Sequence, residues 1–252
     1  MRSLSAVTLL FVFLLIIIFI FLLILISPLI MNPPAPELGS QLITLCAAMM
    51  LVLQLLLVVQ RMLLTNVRLF ALQSFMLAAI ATIVAYYYNA SHVYIVAVLT
   101  LISKVLFLPR LLTRLVRRIN IVEEVEPLIN APTAMLICGG LTLLGYIVAR
   151  PFTTLEKLGN NTLAIAITLL LTGFFLMINR RKAISQVLAL LTVENGVMLA
   201  AVALTTYGMP LVVELGIFFD VMVAVMVLGI LVYRIRESFS SMDTSKLTQL
   251  RG

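Results

Sequence analysis

The sequence predicts an all-α, polytopic integral membrane bundle of about eight transmembrane helices, with both termini cytoplasmic. Three observations carry that expectation. Hydrophobic residues fill 63% of the 252 positions and charged residues 11%, with a mean hydropathy of +1.21, which is too apolar for a domain that folds in water. Apolar runs of about 18 residues or more, the length a helical span needs, recur along the chain, whereas barrel strands would show short alternating segments. The basic residues gather at the ends of these runs, so the net charge of +7 points to membrane topology and not to nucleic acid.

The first run, Leu4 to Met31, follows Arg2. It is longer than the apolar region of a signal peptide and lacks a small-residue cleavage site, so it is expected to be a retained span. Asn32 to Ser40, with Pro33, Pro34, Pro36 and Glu37, is expected to be a loop. A second span runs to about Leu64, and Thr65-Asn66-Val67-Arg68 leads into a third that ends in the interfacial cluster Tyr86-Tyr87-Tyr88. Asn89 to His92 turns the chain. The fourth span, Val93 to about Val116, holds Lys104 near its centre and ends in Arg110, Arg114, Arg117 and Arg118. Pro109 is expected to kink it.

An acidic loop, Asn120 to Glu126, carries Glu123, Glu124 and Glu126, and the fifth span covers Pro127 to Ala149. Its Gly139-Gly140 pair is expected to admit a neighbouring helix closely. After the loop Arg150 to Asn160, the sixth span covers Asn161 to Asn179 and ends at Arg180-Arg181-Lys182. Spans seven and eight fill Ala183 to Arg236, hinged at Tyr207-Gly208-Met209-Pro210. Cys46 and Cys138 stand alone inside apolar runs and read as packing residues.

Placing the first residue inside and alternating sides tests this order. Arg2, Arg61, Arg68, Arg110, Arg114, Arg117, Arg118, Arg180, Arg181, Lys182, Arg234, Arg236, Lys246 and Arg251 then lie inside, 14 of the 17 basic residues. Arg150 and Lys157 fall outside and Lys104 is intramembrane, as the positive-inside rule favours.

Four ionisable residues lie within the predicted spans: Lys104, Glu194, Glu214 and Asp220. At about 1.5 Å per residue, Glu194 is ~16 Å from the Ala183 end of its helix and Asp220 ~15 Å from the Pro210 end, near the middle of a hydrocarbon core about 30 Å thick. A carboxylate there costs at least about 2.5 kcal/mol on insertion, so such groups are functional candidates. Gly216 and Ala224 flank Asp220 on its own helix face, and Asn195 and Gly196 follow Glu194. Glu214, four residues past Pro210, lies close to the outer interface and is a possible further relay group.

One lysine cannot neutralise two carboxylates, so the residual carboxyl group is expected to exchange a proton, the raw material of an intramembrane proton relay. The alternative is an ion pair that only fixes helix registry. Gln54, Gln73 and Ser103 extend a polar path or serve as ordinary interhelical hydrogen-bonding groups. His92 is a surface residue or a proton entry point. The sequence holds no phosphate loop, no HExxH, no CxxC and no nucleophile elbow, so no catalytic, cofactor-binding or metal-ligating residue is expected in this chain.

From about Arg61 to Gly252 the chain resembles the hydrogenase-4 component E family. The resemblance is carried by Arg68-Leu69-Phe70-Ala71-Leu72-Gln73-Ser74, Ser103-Lys104-Val105-Leu106-Phe107-Leu108-Pro109, Val193-Glu194-Asn195-Gly196, and Val213-Glu214-Leu215-Gly216-Ile217 through Asp220. It implies a non-catalytic, multi-pass membrane subunit of an energy-converting hydrogenase or formate hydrogenlyase type complex in a prokaryotic cytoplasmic (inner) membrane. The nickel–iron site and iron–sulfur clusters would lie in partner subunits. Those partners would be antiporter-like and complex I H-type-like membrane subunits and a peripheral hydrogenase-like arm.

The last three spans are also similar to the K-type subunit of respiratory complex I, whose second and third helices each carry a glutamate implicated in proton transfer. Glu194 falls on the first of these positions and Asp220, one methylene shorter, on the second. The resemblance thus divides the chain into an extra N-terminal helix and outer loop (1–40), family-specific helices with Lys104 (41–160) and a three-helix K-type-like unit (161–252). It favours proton translocation through Glu194, Asp220 and Lys104. A structural or assembly subunit with registry ion pairs is the first alternative, and a stand-alone ion transporter the second.

Overall fold

The computed structural model describes residues 36–87, 91–119, 127–152 and 161–204. The first and eighth predicted spans, with Glu214 and Asp220, lie outside the described residues, as does the His92 side chain. The described elements are helical: α1 (Pro36–Val59), α2 (Leu63–Tyr87), α3 (Ser91–Thr100), a π-helical stretch π1 (Leu101–Phe107), α4 (Leu108–Ile119), α5 (Ala131–Ala149), a single 3-10 turn (Arg150–Phe152), α6 (Thr162–Asn179) and α7 (Ala183–Leu204). Among the described residues, six helices are long and apolar enough to cross a membrane, with α3, π1 and α4 joined into one of them.

Three boundaries differ from expectation: α5 starts at Ala131 and not at Pro127, and the other two have a local reason each. Helix α1 starts at Pro36, inside the predicted loop, because a proline at the first helical position lacks only an N–H that would have no helical partner anyway. The first break falls at Gln60 to Met62 and not at Thr65 to Arg68. Gln60 Oε1 accepts from the backbone N–H of Arg61 at 2.9 Å and of Met62 at 3.2 Å, while Asn66 Nδ2 donates to Gln60 O at 3.1 Å. Side chains thus satisfy the backbone groups that the chain reversal releases, and Asn66 sits in the first turns of α2.

Helices α1 and α2 pack as a pair, α2 also packs along α3, π1 and α4, and α6 and α7 form a second close pair that meets α1 and α2. Between Gly173 on α6 and Gly196 on α7 the backbones nearly touch. A Cβ on Gly196 would come within 3.0 Å of Leu170 N, and one on Gly173 within 2.6 Å of Val193 Cγ2. Helix α5 packs on α6 at the edge of the bundle. Among the described residues, nothing lies within 4 Å of where a Cβ on Gly139 or Gly140 would be. The close approach on α5 is made instead by Gly145, beside Thr168 and Ala164 of α6.

Two large clusters make up most of the apolar core, with two small ones beside them. One cluster gathers Ile43, Met50, Ile80, Val84, Val96, Leu169 and Leu199. The other gathers Leu57, Phe70, Leu112, Leu176, Leu188 and Leu191. On each helix that spans both clusters, a buried polar residue lies between them: Gln54 on α1, Gln73 and Ser74 on α2, Lys104 on π1, Thr172 on α6, and Thr192, Glu194 and Asn195 on α7. The fold therefore carries one polar layer sandwiched between two apolar ones.

Candidate functional site

Helix geometry explains why these residues share a level. Glu194 is half-way along α7, so its carboxylate emerges at mid-bundle, and Gly196 lets that stretch of α7 lie close against the α6 backbone. Lys104 is central in π1, which ends two residues before Pro109. Proline offers no N–H to the carbonyl one turn back, and the N–H of Leu108 reaches five residues back to Ser103 O. The expected kink is thus expressed as a wide turn. π-Turns inside helices often mark functional positions because they displace a side chain from the helical register.

Lys104 Nζ lies 3.0 Å from Glu194 Oε1, with the two side chains 1% and 2% exposed. A fully withdrawn ammonium and carboxylate at contact distance attract far more strongly than a surface pair, and each would be costly there without the other. The ammonium also donates to Asn195 Oδ1 at 3.4 Å. From Asn195 the bonding continues away from the pair. Its Nδ2 donates to Gln73 Oε1 at 3.2 Å and Ser74 Oγ at 3.1 Å. Gln73 Nε2 donates to Gln54 Oε1 at 3.0 Å and Met50 O at 3.3 Å. Gln54 Nε2 donates to Thr192 Oγ1 at 3.4 Å, and the Thr192 hydroxyl donates to Ala189 O at 2.7 Å. Four helical elements, α1, α2, π1 and α7, are joined in this one network. In hydrocarbon such groups find no water, so mutual satisfaction is the condition for burying them.

A second buried cation closes one end of the bundle. Arg180 follows α6 and donates from Nη2 to Leu57 O at 2.8 Å, Val58 O at 3.2 Å and Gln60 O at 2.8 Å, the carbonyls released at the end of α1. Beside it, Asn179 O and Oδ1 accept from the N–H groups of Leu128 and Ile129. Gln186 Nε2 donates to Arg180 O. The arrangement ties α1, the approach to α5, α6 and α7 together.

Over 214 residues the chain is 36% identical to the uncharacterized protein Rv0085 of Mycobacterium tuberculosis, an alignment that takes in 84% of this chain and 97% of that one. The chain belongs to the Rv0085 family. Hydrogenase-4 component E of Escherichia coli K12 is similar to this Rv0085-family chain at 27% identity over 217 residues, 85% of this chain and 99% of that protein. The same figures hold for hydrogenase-4 component E of Shigella flexneri. No family model matches the chain, and no solved structure matches it significantly.

Of the residues singled out from the sequence of this Rv0085-family chain, Lys104 and Glu194 meet as an ion pair, and Gln73 and Gln54 enter the network that reaches them. Three members carried no sequence signal of their own weight. Asn195 registered only as an amide next to Glu194, and Ser74 and Thr192 are residue types that helices tolerate anywhere. Arg180 counted only as a topological charge, although it is 3% exposed. A mid-span position shared by several amides on different apolar runs is the one pattern that could have pointed to the layer.

Proposed function

We propose that the chain is a membrane subunit of a multisubunit redox complex of the group 4 nickel–iron hydrogenase kind, and that it takes part in proton translocation without being catalytic itself. The observation that carries this reading is the Lys104–Glu194 pair, 3.0 Å apart and withdrawn from solvent in the middle of a helical bundle that is long and apolar enough to cross a membrane. The similarity to hydrogenase-4 component E supplies the complex. Glu194 takes up and releases a proton, Asp220 is the second carboxyl of the path, and Lys104 biases both through its charge. Glu214 and His92 would extend the path toward the interface. Moving one elementary charge through 100 mV requires about 2.3 kcal/mol, a scale that coupled buried charges readily supply.

Redox chemistry belongs to partner subunits holding the nickel–iron and iron–sulfur centres. The neighbours in the membrane would be antiporter-like and complex I H-type-like subunits, and residues 161–252 would act as the K-type-like unit. The location would be a prokaryotic cytoplasmic membrane. Proton translocation by the assembled complex in proteoliposomes tests the reading: a Glu194→Gln, Asp220→Asn double variant is expected to abolish it, and undiminished translocation would sink the relay.

The same ion pair also suits a subunit that scaffolds assembly, since a buried pair on π1 and α7 fixes the register of those two helices. Under that second reading the double variant lowers the yield of complex and leaves translocation per assembled complex intact.

A further inference from the structure

The three amides of the polar layer, Gln54, Gln73 and Asn195, are fully buried, and their orientation is dictated from both ends of the chain they form. An ammonium group only donates, so the Asn195 atom facing Lys104 must be the oxygen, as found. Nδ2 then points to Gln73 and requires the Gln73 oxygen, which in turn aims Nε2 at the Gln54 oxygen and at Met50 O. The remaining Gln54 nitrogen reaches Thr192 Oγ1. That hydroxyl gives its proton to Ala189 O and so presents a lone pair to Gln54. Donor-only lysine at one end and lone-pair threonine at the other demand the same polarity. Every amide turns its oxygen toward Lys104 and its nitrogen away.

We propose that Gln54, Gln73 and Asn195 are a one-way amide chain that holds the Lys104 ammonium in place against Glu194, with Asn195 as its positioning residue and Gln73 acting on Lys104 only through Asn195. The inference rests on the reading of the Lys104–Glu194 pair as a proton-handling site. A neutral amide has no proton to release and no basic nitrogen to accept one, so the chain bonds without conducting. It lets Glu194 exchange protons while the counter-charge stays fixed, and it closes the α1–α2 side of the site to proton escape. Reversing any one amide would set donor against donor within the chain, and reversing all three would set the Asn195 nitrogen against the ammonium, so the chain keeps one direction, and its aligned dipoles reinforce one another in a low-dielectric layer.

The intact complex in lipid, carrying 15N-lysine and 13C,15N-labelled Asn and Gln, tests this by solid-state NMR, with Lys104→Arg used to assign the Lys104 signal. In the unaltered protein the dipolar couplings are expected to place Asn195 Nδ2 farther from Lys104 Nζ than Asn195 Cγ is, as an oxygen turned toward the ammonium requires. A coupling that makes Nδ2 the nearer atom overturns the proposal.

Two substitutions at Gln73, which touches neither Lys104 nor Glu194 in the chain of bonds, then separate positioning from packing. Gln73→Met matches the side chain in size but accepts no hydrogen bond of comparable strength. It is expected to shift both the Lys104 and Asn195 resonances and to lower translocation per assembled complex several-fold. Gln73→Glu, protonated in this apolar layer, accepts from Asn195 with one oxygen and donates toward Gln54 with the other, and is expected to retain the wild-type Lys104 resonance. Unchanged Lys104 and Asn195 resonances in Gln73→Met overturn the proposal, and if that variant fails to assemble the coupling in the unaltered protein decides. The relay reading fails separately, through undiminished translocation in the Glu194→Gln, Asp220→Asn variant, and that result leaves the resonance measurements standing.

Discussion

Lys104 and Arg180 are both cations withdrawn from solvent, 1% and 3% exposed, in one helical bundle, yet different chemistry holds them. Arg180 donates to three backbone carbonyls at the end of α1, where the helix dipole already favours positive charge. Those acceptors cannot take up a proton, so the contact has one state. Lys104 faces a carboxylate that can, through a pair set between two apolar clusters. The contrast separates architecture from chemistry: a guanidinium on carbonyls fixes helix ends, and an ammonium on a titratable group leaves a second charge state within reach.

The largest expected effect breaks the Lys104 side of this comparison. Lys104→Met takes the ammonium away from a buried carboxylate and is expected to cost about 3–5 kcal/mol, read by denaturing-detergent titration of the purified protein. Adding Glu194→Met removes that carboxylate as well. The double variant is expected to recover most of that stability, since replacing a buried pair by apolar side chains of similar size is often neutral or stabilising. Translocation, by contrast, is expected to be lost in both. A double variant that still translocates would reduce Lys104 to the same architectural role as Arg180.

Arg180 gives the next effect and the opposite signature. Arg180→Met removes the charge-assisted hydrogen bonds to Leu57, Val58 and Gln60, with an expected cost of about 1.5–3 kcal/mol in the same titration. Arg180→Lys is expected to recover only part of it, because an ammonium is more strongly hydrated than a guanidinium and costs more to withdraw from solvent. Translocation per assembled complex is expected to stay at the wild-type level in both variants. A loss of translocation without loss of assembly would place Arg180 in the proton path and erase the distinction.

These two cations also mark what sequence reading can reach. The six described spans and the mid-bundle level of Lys104 and Glu194 follow from apolar run length and a fixed rise per residue, which are properties of single segments. The end of α1 does not, because Gln60-Arg61 is a short polar pair followed at once by Met62-Leu63-Leu64, and the break is made by the Gln60 and Asn66 side chains and by Arg180, more than a hundred residues away in sequence. The amide chain was equally hidden. Whether Asn195 meets Gln73 depends on the rotation of α7 against α2, and whether Gln73 meets Gln54 on that of α2 against α1, relations that no single helix encodes.

The smallest expected effect concerns glycine. Gly139 and Gly140 are adjacent and conspicuous, and among the described residues both are exposed, with open space where a side chain would go. Gly196 stands alone, and its missing Cβ is what lets α7 approach the α6 backbone beside the polar layer. Gly196→Leu is therefore expected to cost about 1–3 kcal/mol or more, because backbone atoms cannot yield as a flexible side chain would. Gly139→Leu and Gly140→Leu are expected to stay within about 0.5 kcal/mol of wild type in the purified chain, as substitutions in open space do. Measuring the yield of assembled complex for the same two variants adds what the purified chain leaves unanswered. A variant that folds normally but no longer assembles would show that another protein surface, and not lipid alone, covers the α5 face that carries these glycines.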